Sequence, residues 1–158
     1  MNKRIFVDFD GVILDTMTKF EELKDPNITW DDFFLYFDWN DFLKECDPIN
    51  NSIEILKELQ SLKSDIYILT KINTVNEMEA KVHELRYNRG IILPIIFVPY
   101  KRKKNEVIIP NKGDILIDDT LSNLVEWEKA GGIGYLYNSN LDYPRKVESL
   151  DFLMKEGS

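Results

Sequence analysis

Ile5-Phe6-Val7-Asp8-Phe9-Asp10-Gly11-Val12-Ile13-Leu14-Asp15-Thr16 carries an apolar run straight into two carboxylates and a glycine. An unbroken apolar run reads as a central parallel strand covered on both faces. Carboxylates at the end of such a strand lose hydration unless a cation or a hydrogen-bond network compensates. Asp8 and Asp10 therefore read as groups kept for chemistry, against the plainer reading that they cap the turn that follows.

Working outward, strands alternate with helices. Residues 3–9 form the first strand, and 65–70, 94–98, 114–117 and 133–137 are four more short apolar runs. Between them, Ile53, Leu56, Leu59 and Leu62 keep helical spacing over 51–63, with Asp47-Pro48 as a start signal. Thr74-Val75-Asn76-Glu77 has capping-box form, and Gly90 supplies a stop. Residues 121–130 form a further helix closed by Gly131-Gly132, which read as a helix stop and strand entry, not as a nucleotide loop. The pattern predicts an α/β fold: a Rossmann-like open parallel sheet of about five strands, flanked by helices. Such sheets bind ligands beyond the carboxyl ends of their strands. Asp8 and Asp10, Thr70, and Asp118-Asp119 all fall on that edge.

At 158 residues and 44% hydrophobic content, the chain is expected to be a single domain with a real core. No apolar run reaches the length of a membrane span, and the N-terminus does not read as a signal peptide, so a cytoplasmic location is expected. One cysteine and one histidine exclude an internal disulfide and any multi-cysteine or multi-histidine metal site, leaving oxygen ligands. Cys46 reads as packing and His83 as a surface or boundary residue. The net charge of -8 disfavours general nucleic-acid binding. Lys101-Arg102-Lys103-Lys104 is the exception, either a solvated loop or a phosphate-binding one.

Asp-Phe-Asp-Gly-Val followed by Ile-Leu-Asp-Thr resembles the first motif of the haloacid dehalogenase superfamily of phosphatases and phosphotransferases. Ile115-Leu116-Ile117-Asp118-Asp119-Thr120 resembles the family's fourth motif, an apolar strand ending in paired acids; the plainer alternative is an N-cap. The resemblance runs from Ile5 to about Tyr137. It implies that Asp8 is a nucleophile forming an aspartyl-phosphate and that Asp10 is a general acid and base. Converging carboxylates repel unless a divalent cation neutralises them, and Mg2+ suits an all-oxygen site beside a phosphoryl group. By resemblance the metal ligands are Asp8, Asp10 through its backbone carbonyl, Asp119 directly, and Asp118 directly or through water.

Two looser motifs complete the pattern. Thr70 stands where the family places a hydroxyl that hydrogen-bonds the phosphoryl group, and the backbone N–H of Lys71 is set to serve the same oxygen. The family's lysine falls among Lys101, Lys103, Lys104 and Lys112. Lys104 is favoured because it leaves the loop for the next segment, with Lys103 the runner-up.

Residues 17–50 break the strand-helix rhythm and resemble the small helical cap that the family inserts after its first strand. Trp30, Phe33, Phe34, Tyr36, Phe37, Trp39 and Phe42 crowd into it. Most read as the insert's own core, while Trp30 and Trp39 are candidates for stacking on a flat leaving group. The expected partner is a small phosphomonoester, first a 5'- or 3'-nucleotide. A sugar-phosphate phosphatase or phosphomutase-like enzyme, a polynucleotide end phosphatase, and a non-catalytic phosphate or metal sensor are the alternatives. Oligomeric state is left open.

Overall fold

The computed structural model describes residues 3–63 and 65–155. Six strands form one parallel sheet in the order β3-β2-β1-β4-β5-β6: β1 Ile5–Val7, β2 Ile66–Ile72, β3 Ile95–Pro99, β4 Ile115–Asp118, β5 Ile133–Tyr137 and β6 Lys146–Val147. The register aligns Val7 with Ile68 on one side and with Ile117 on the other. The first five strands lie where the apolar runs predicted them. β2 runs on to Ile72, two residues further than its apolar run, because Thr70, Lys71 and Ile72 continue the ladder with β3. β6, only two residues long and pairing at Leu136 and Tyr137, has no apolar run to announce it.

Alternation along β1 sets the two cores. Ile5 and Val7 face one layer, packed with Ile53, Leu56 and Leu59 of α4 (Ser52–Leu62), Ala80 of α5 (Val75–His83) and Leu150. Phe6 faces the other, with Leu69, Leu116, Leu124 and Trp127, the last two from α7 (Leu121–Lys129). The start of β4 is tied down by Asp114, a buried carboxylate that accepts from Arg4 Nη2 at 2.7 Å and from the Asn111 N–H at 2.7 Å. Burying apolar surface at roughly 25 cal/mol per Å² makes these two layers the main source of stability.

Helix ends follow local chemistry. Thr74 Oγ1 accepts from the Glu77 N–H at 3.2 Å, the expected N-cap, whereas the Glu77 carboxylate turns to the N–H of Asn73 at 2.6 Å. α5 does not stop at once but passes into a π-helical turn, Glu84–Asn88, before Gly90 at φ 72°. α4 begins at Ser52, later than the Asp47-Pro48 signal suggests. That dipeptide is used instead to pin the first loop, with Pro48 bridging Leu14 and the Asp47 carbonyl accepting from the Asp15 N–H.

Between β1 and α4 lie three short helices, α1 Thr16–Leu23, α2 Trp30–Leu35 and α3 Trp39–Glu45. Phe20 of α1 is their hub: ring centroids of Phe42, Phe34, Trp39 and Phe37 lie 4.4, 5.5, 5.5 and 5.8 Å from its own. Among the described residues, no helix is long and apolar enough to cross a membrane.

Candidate active site

Strand order reverses between β1 and β4, and the crevice at such a switch point is where an open parallel sheet receives a ligand. Asp8 follows β1 directly, with its N–H bonded to the Ile117 carbonyl at 3.0 Å, while Asp118 ends β4 and Asp119 comes next. One carboxylate oxygen from each of Asp8, Asp118 and Asp119 lies within 4.8 Å of the others. Gly11, at φ 78°, turns the chain where a Cβ would run into the Asp119 carboxylate, so a side chain at residue 11 would have to displace that carboxylate.

Lys104 is the cation of this cluster. It opens a short helix, α6 (Lys104–Val107), and its buried Nζ reaches Asp8 Oδ1 at 2.9 Å and Asp118 Oδ2 at 2.7 Å. Burial alone would push the Lys104 ammonium down, but Asp118 and Asp8 hold it above the ordinary lysine value. Lys103, by contrast, is exposed and lies 3.9 Å from Glu126, and Lys112 is exposed as well. Arg102 is turned to Glu106 at 3.2 Å, so the four-cation run is not a free basic stripe.

The two acids of β4 differ in use. Asp118 is the more heavily bonded: Oδ1 accepts from the Thr120 N–H, and Oδ2 from Lys104 and from Asn123 Nδ2 at 3.1 Å. Asp119 accepts a 3.2 Å bond from Thr120 Oγ1, and it lines the cavity. Desolvation, then the charge of Asp118, raises the Asp119 carboxyl to about 7. Asp8 is also pushed well above the usual carboxylate range, by burial first and then by Asp118, with Lys104 opposing.

Asp10 lies at the rim, its Oδ1 accepting from Thr16 Oγ1 at 2.6 Å and its Oδ2 from Lys81 Nζ at 2.8 Å. Thr70 is fully buried and is not among the residues lining the cavity; its Oγ1 accepts from Lys81 at 2.9 Å. Lys71, half-buried in β2, does line the cavity, and its carbonyl accepts from Lys81 at 3.1 Å. Lys81 is the residue that sequence reasoning missed. Its only local signal is the Glu77-Lys81 spacing, which reads as an ordinary surface pair on a helix.

Above the acids opens a cavity of about 470 Å³. Asp8, Asp10, Lys104 and Asp119 form its polar end, and Met17, Phe20, Trp30, Phe34 and Trp39 form an apolar wall. Trp30 and Phe34 stack at 5.5 Å, and Phe34 and Trp39 at 5.3 Å. Trp39 is 2% exposed and Trp30 45%, so the first belongs chiefly to the aromatic core and the second to the cavity's open side. Cys46 is buried, donating to the Phe42 carbonyl, and His83 is exposed.

No family model matches the sequence, and no curated protein matches it. Solved structures do match along nearly the whole chain. A HAD-superfamily hydrolase of subfamily IA from Geobacter sulfurreducens aligns with TM-score 0.64 at 14% identity, covering 98% of this chain and 99% of the other. D,D-heptose 1,7-bisphosphate phosphatase from B. bronchiseptica, a complex with magnesium and phosphate, aligns with TM-score 0.62 at 17% identity over 98% and 99%. A haloacid dehalogenase-like hydrolase from Streptococcus pneumoniae gives TM-score 0.61 at 18% identity over 98% of each chain. The chain has the fold of the haloacid dehalogenase superfamily hydrolases.

Proposed function

We propose that this chain, with the fold of the haloacid dehalogenase superfamily hydrolases, is a Mg2+-dependent phosphohydrolase acting on a small phosphomonoester through Asp8. The observation that carries the proposal is the placement of Lys104 between Asp8 and Asp118 at the switch point of the sheet. A buried cation beside one particular carboxylate is what a nucleophile facing an anionic phosphoryl group requires.

The donor set fits magnesium. Three carboxylates converge with no sulfur or imidazole among them, and hard oxygen donors suit Mg2+. Asp8, Asp119 and the Asp10 carbonyl would hold it, with Asp118 contributing directly or through water. When bound, the ion neutralises phosphoryl oxygens and the carboxylates around it.

In this reading Asp8 attacks phosphorus in line, and the phosphoryl group passes from the substrate's bridging oxygen to the carboxylate. Lys104 stabilises charge on the equatorial oxygens. Asp10 donates a proton to the leaving oxygen, then takes one from the water that hydrolyses the acyl phosphate. Thr70 enters as a buried hydroxyl behind the site, anchored by Lys81, and the Lys71 N–H as a donor to the same phosphoryl oxygen. Lys103, exposed beside Glu126 and not among the residues lining the cavity, has no part in this reading.

The substrate class we propose is a 5'- or 3'-nucleotide. Support comes from the aromatic rings that line the same cavity as the acids, since a base stacks on such rings at roughly 1–3 kcal/mol each. Residues 17–50 then act as a small helical cap, and a cytoplasmic location belongs to the same reading. A polynucleotide substrate is disfavoured by the net charge of -8.

The test is hydrolysis of an aryl phosphate with and without Mg2+, followed by a panel of nucleotides and sugar phosphates. Mg2+-dependent turnover, with nucleotides preferred, is expected. No turnover by folded protein in either condition overturns the enzyme in favour of a phosphate or metal sensor, and sugar phosphates ranking first overturns the substrate class.

A further inference from the structure

Lys81 is fully buried, and no step of the reaction uses it. Four acceptors face its ammonium: Asp10 Oδ2 at 2.8 Å, Thr70 Oγ1 at 2.9 Å, Glu77 Oε2 at 2.9 Å and the Lys71 carbonyl at 3.1 Å. The Phe9 ring closes a further side, its centroid 4.9 Å from Nζ. Three N–H groups shared among four acceptors leave the ammonium no open direction. A buried cation needs one charge partner and hydrogen bonds to be tolerated, and Glu77 with a backbone carbonyl would already supply them. The reach to Asp10 and Thr70 is additional.

Its consequence falls on Asp10. That residue sits in the turn after β1, where an aspartate side chain is otherwise free to swing. Here both oxygens are held, one by Thr16 at the start of α1 and the other by Lys81 from α5. The two donors approach from elements on different parts of the chain, so together they fix the plane of the carboxylate. Proton transfer demands that fixity, because efficiency drops steeply when the donor strays from hydrogen-bond reach of the reacting oxygen.

We propose that Lys81 is a positioning residue: it holds the Asp10 carboxylate in the orientation needed for proton transfer at the substrate's bridging oxygen, and links it through the same ammonium to Thr70. The inference rests on the phosphohydrolase reading and on the acid-base part given there to Asp10. A purely structural Lys81 would instead anchor α5 to the sheet through Glu77 and the Lys71 carbonyl.

Leaving-group dependence separates the two. Wild type, Lys81→Met, Asp10→Asn and the double variant are compared in saturating Mg2+ on aryl phosphates running from dinitrophenyl, which leaves without help, to phenyl, which needs a proton. Lys81→Met is expected to lose about ten-fold or more in kcat/KM, which reports the phosphoryl transfer to Asp8 and not the shared hydrolysis of the acyl phosphate, on phenyl phosphate and less than about three-fold on dinitrophenyl phosphate. The double variant should lose no more than Asp10→Asn alone, because the lysine acts only through the aspartate. Equal loss on every substrate, or losses that multiply in the double variant, overturns the inference. Lys81→Gln is carried through the same series in case Lys81→Met does not fold; if neither folds, Lys81 is a core residue and the inference falls. A wild type with no turnover on any aryl phosphate overturns the phosphohydrolase reading itself, a result distinct from equal scaling.

Discussion

The Asp119 carboxylate fills the space where a Cβ on Gly11 would stand, which fastens the loop after β1 to the end of β4. Gly11→Ala therefore meets two penalties. A non-glycine residue at φ 78° costs roughly 1–2 kcal/mol, and the new methyl displaces Asp119. Weaker Mg2+ binding is expected together with a lower Tm, and isothermal titration of folded Gly11→Ala with Mg2+ checks it. Unchanged affinity would mean that Asp119 is not held for the metal.

Asp8→Asn keeps the shape of the side chain while removing its nucleophilicity. Turnover should fall about 10³-fold or more with the fold retained. Without metal the variant should be at least as stable as wild type, since burial and the neighbouring Asp118 already strain the charged form of Asp8. Thermal unfolding and a steady-state assay on the same preparation measure both halves, and near-wild-type turnover would remove Asp8 from the mechanism.

The raised carboxyls make the metal-free protein sensitive to pH in a definite direction. An aspartate titrates near 4 when unfolded, whereas Asp119 in the folded chain titrates at about 7. Between these values the folded state holds a proton that the unfolded state has released, so stability falls as pH rises. Metal-free Tm should decline from about pH 4 to about pH 7 and level off above, and added Mg2+ should raise Tm more at the upper end. Asp119→Asn, lacking this group, should flatten the decline; a slope identical to wild type would show that other groups set it.

Much of this site is legible in the sequence because it is local. An apolar run fixes β1 and β4, and whatever follows each run is delivered to the same edge, so Asp8, Asp10, Asp118 and Asp119 can be placed without coordinates. Lys104 is legible for a related reason: it stands where the basic run gives way to the next segment, and as the first residue of α6 it points inward. Lys81 is not legible. Glu77, Lys81 and Glu84 share the inward face of α5 and its π-helical extension, the face that periodicity reserves for apolar residues, while Val75 is exposed. Only tertiary contact with Asp10 and Thr70 explains the inward Lys81, while Glu84 is paired locally with Arg89 five residues on. β6 escapes for the opposite reason: two residues carry too little pattern.

The aromatic helices between β1 and α4 hold the remaining question, because the same rings serve as core and as cavity wall. Trp39 is buried, with ring contacts to Phe20, Phe34, Phe37 and Phe42, so Trp39→Ala should behave as a core truncation costing about 3–5 kcal/mol. Trp30 is half exposed, stacked on Phe34 with Lys24 Nζ 5.0 Å from its ring centroid, and it can lose its indole at smaller structural cost. Every phosphomonoester presents the same phosphoryl group to Asp8 and Lys104, so discrimination must arise where the leaving group lies. Trp30→Ala is thus expected to reduce kcat/KM for nucleotides by about ten-fold while leaving acetyl phosphate within about two-fold, a stacking ring being worth roughly 1–3 kcal/mol. Relative rates on the two substrates measure it directly. If folded Trp30→Ala scales both by one factor, the aromatic wall does not read the leaving group, and the nucleotide preference loses its physical basis.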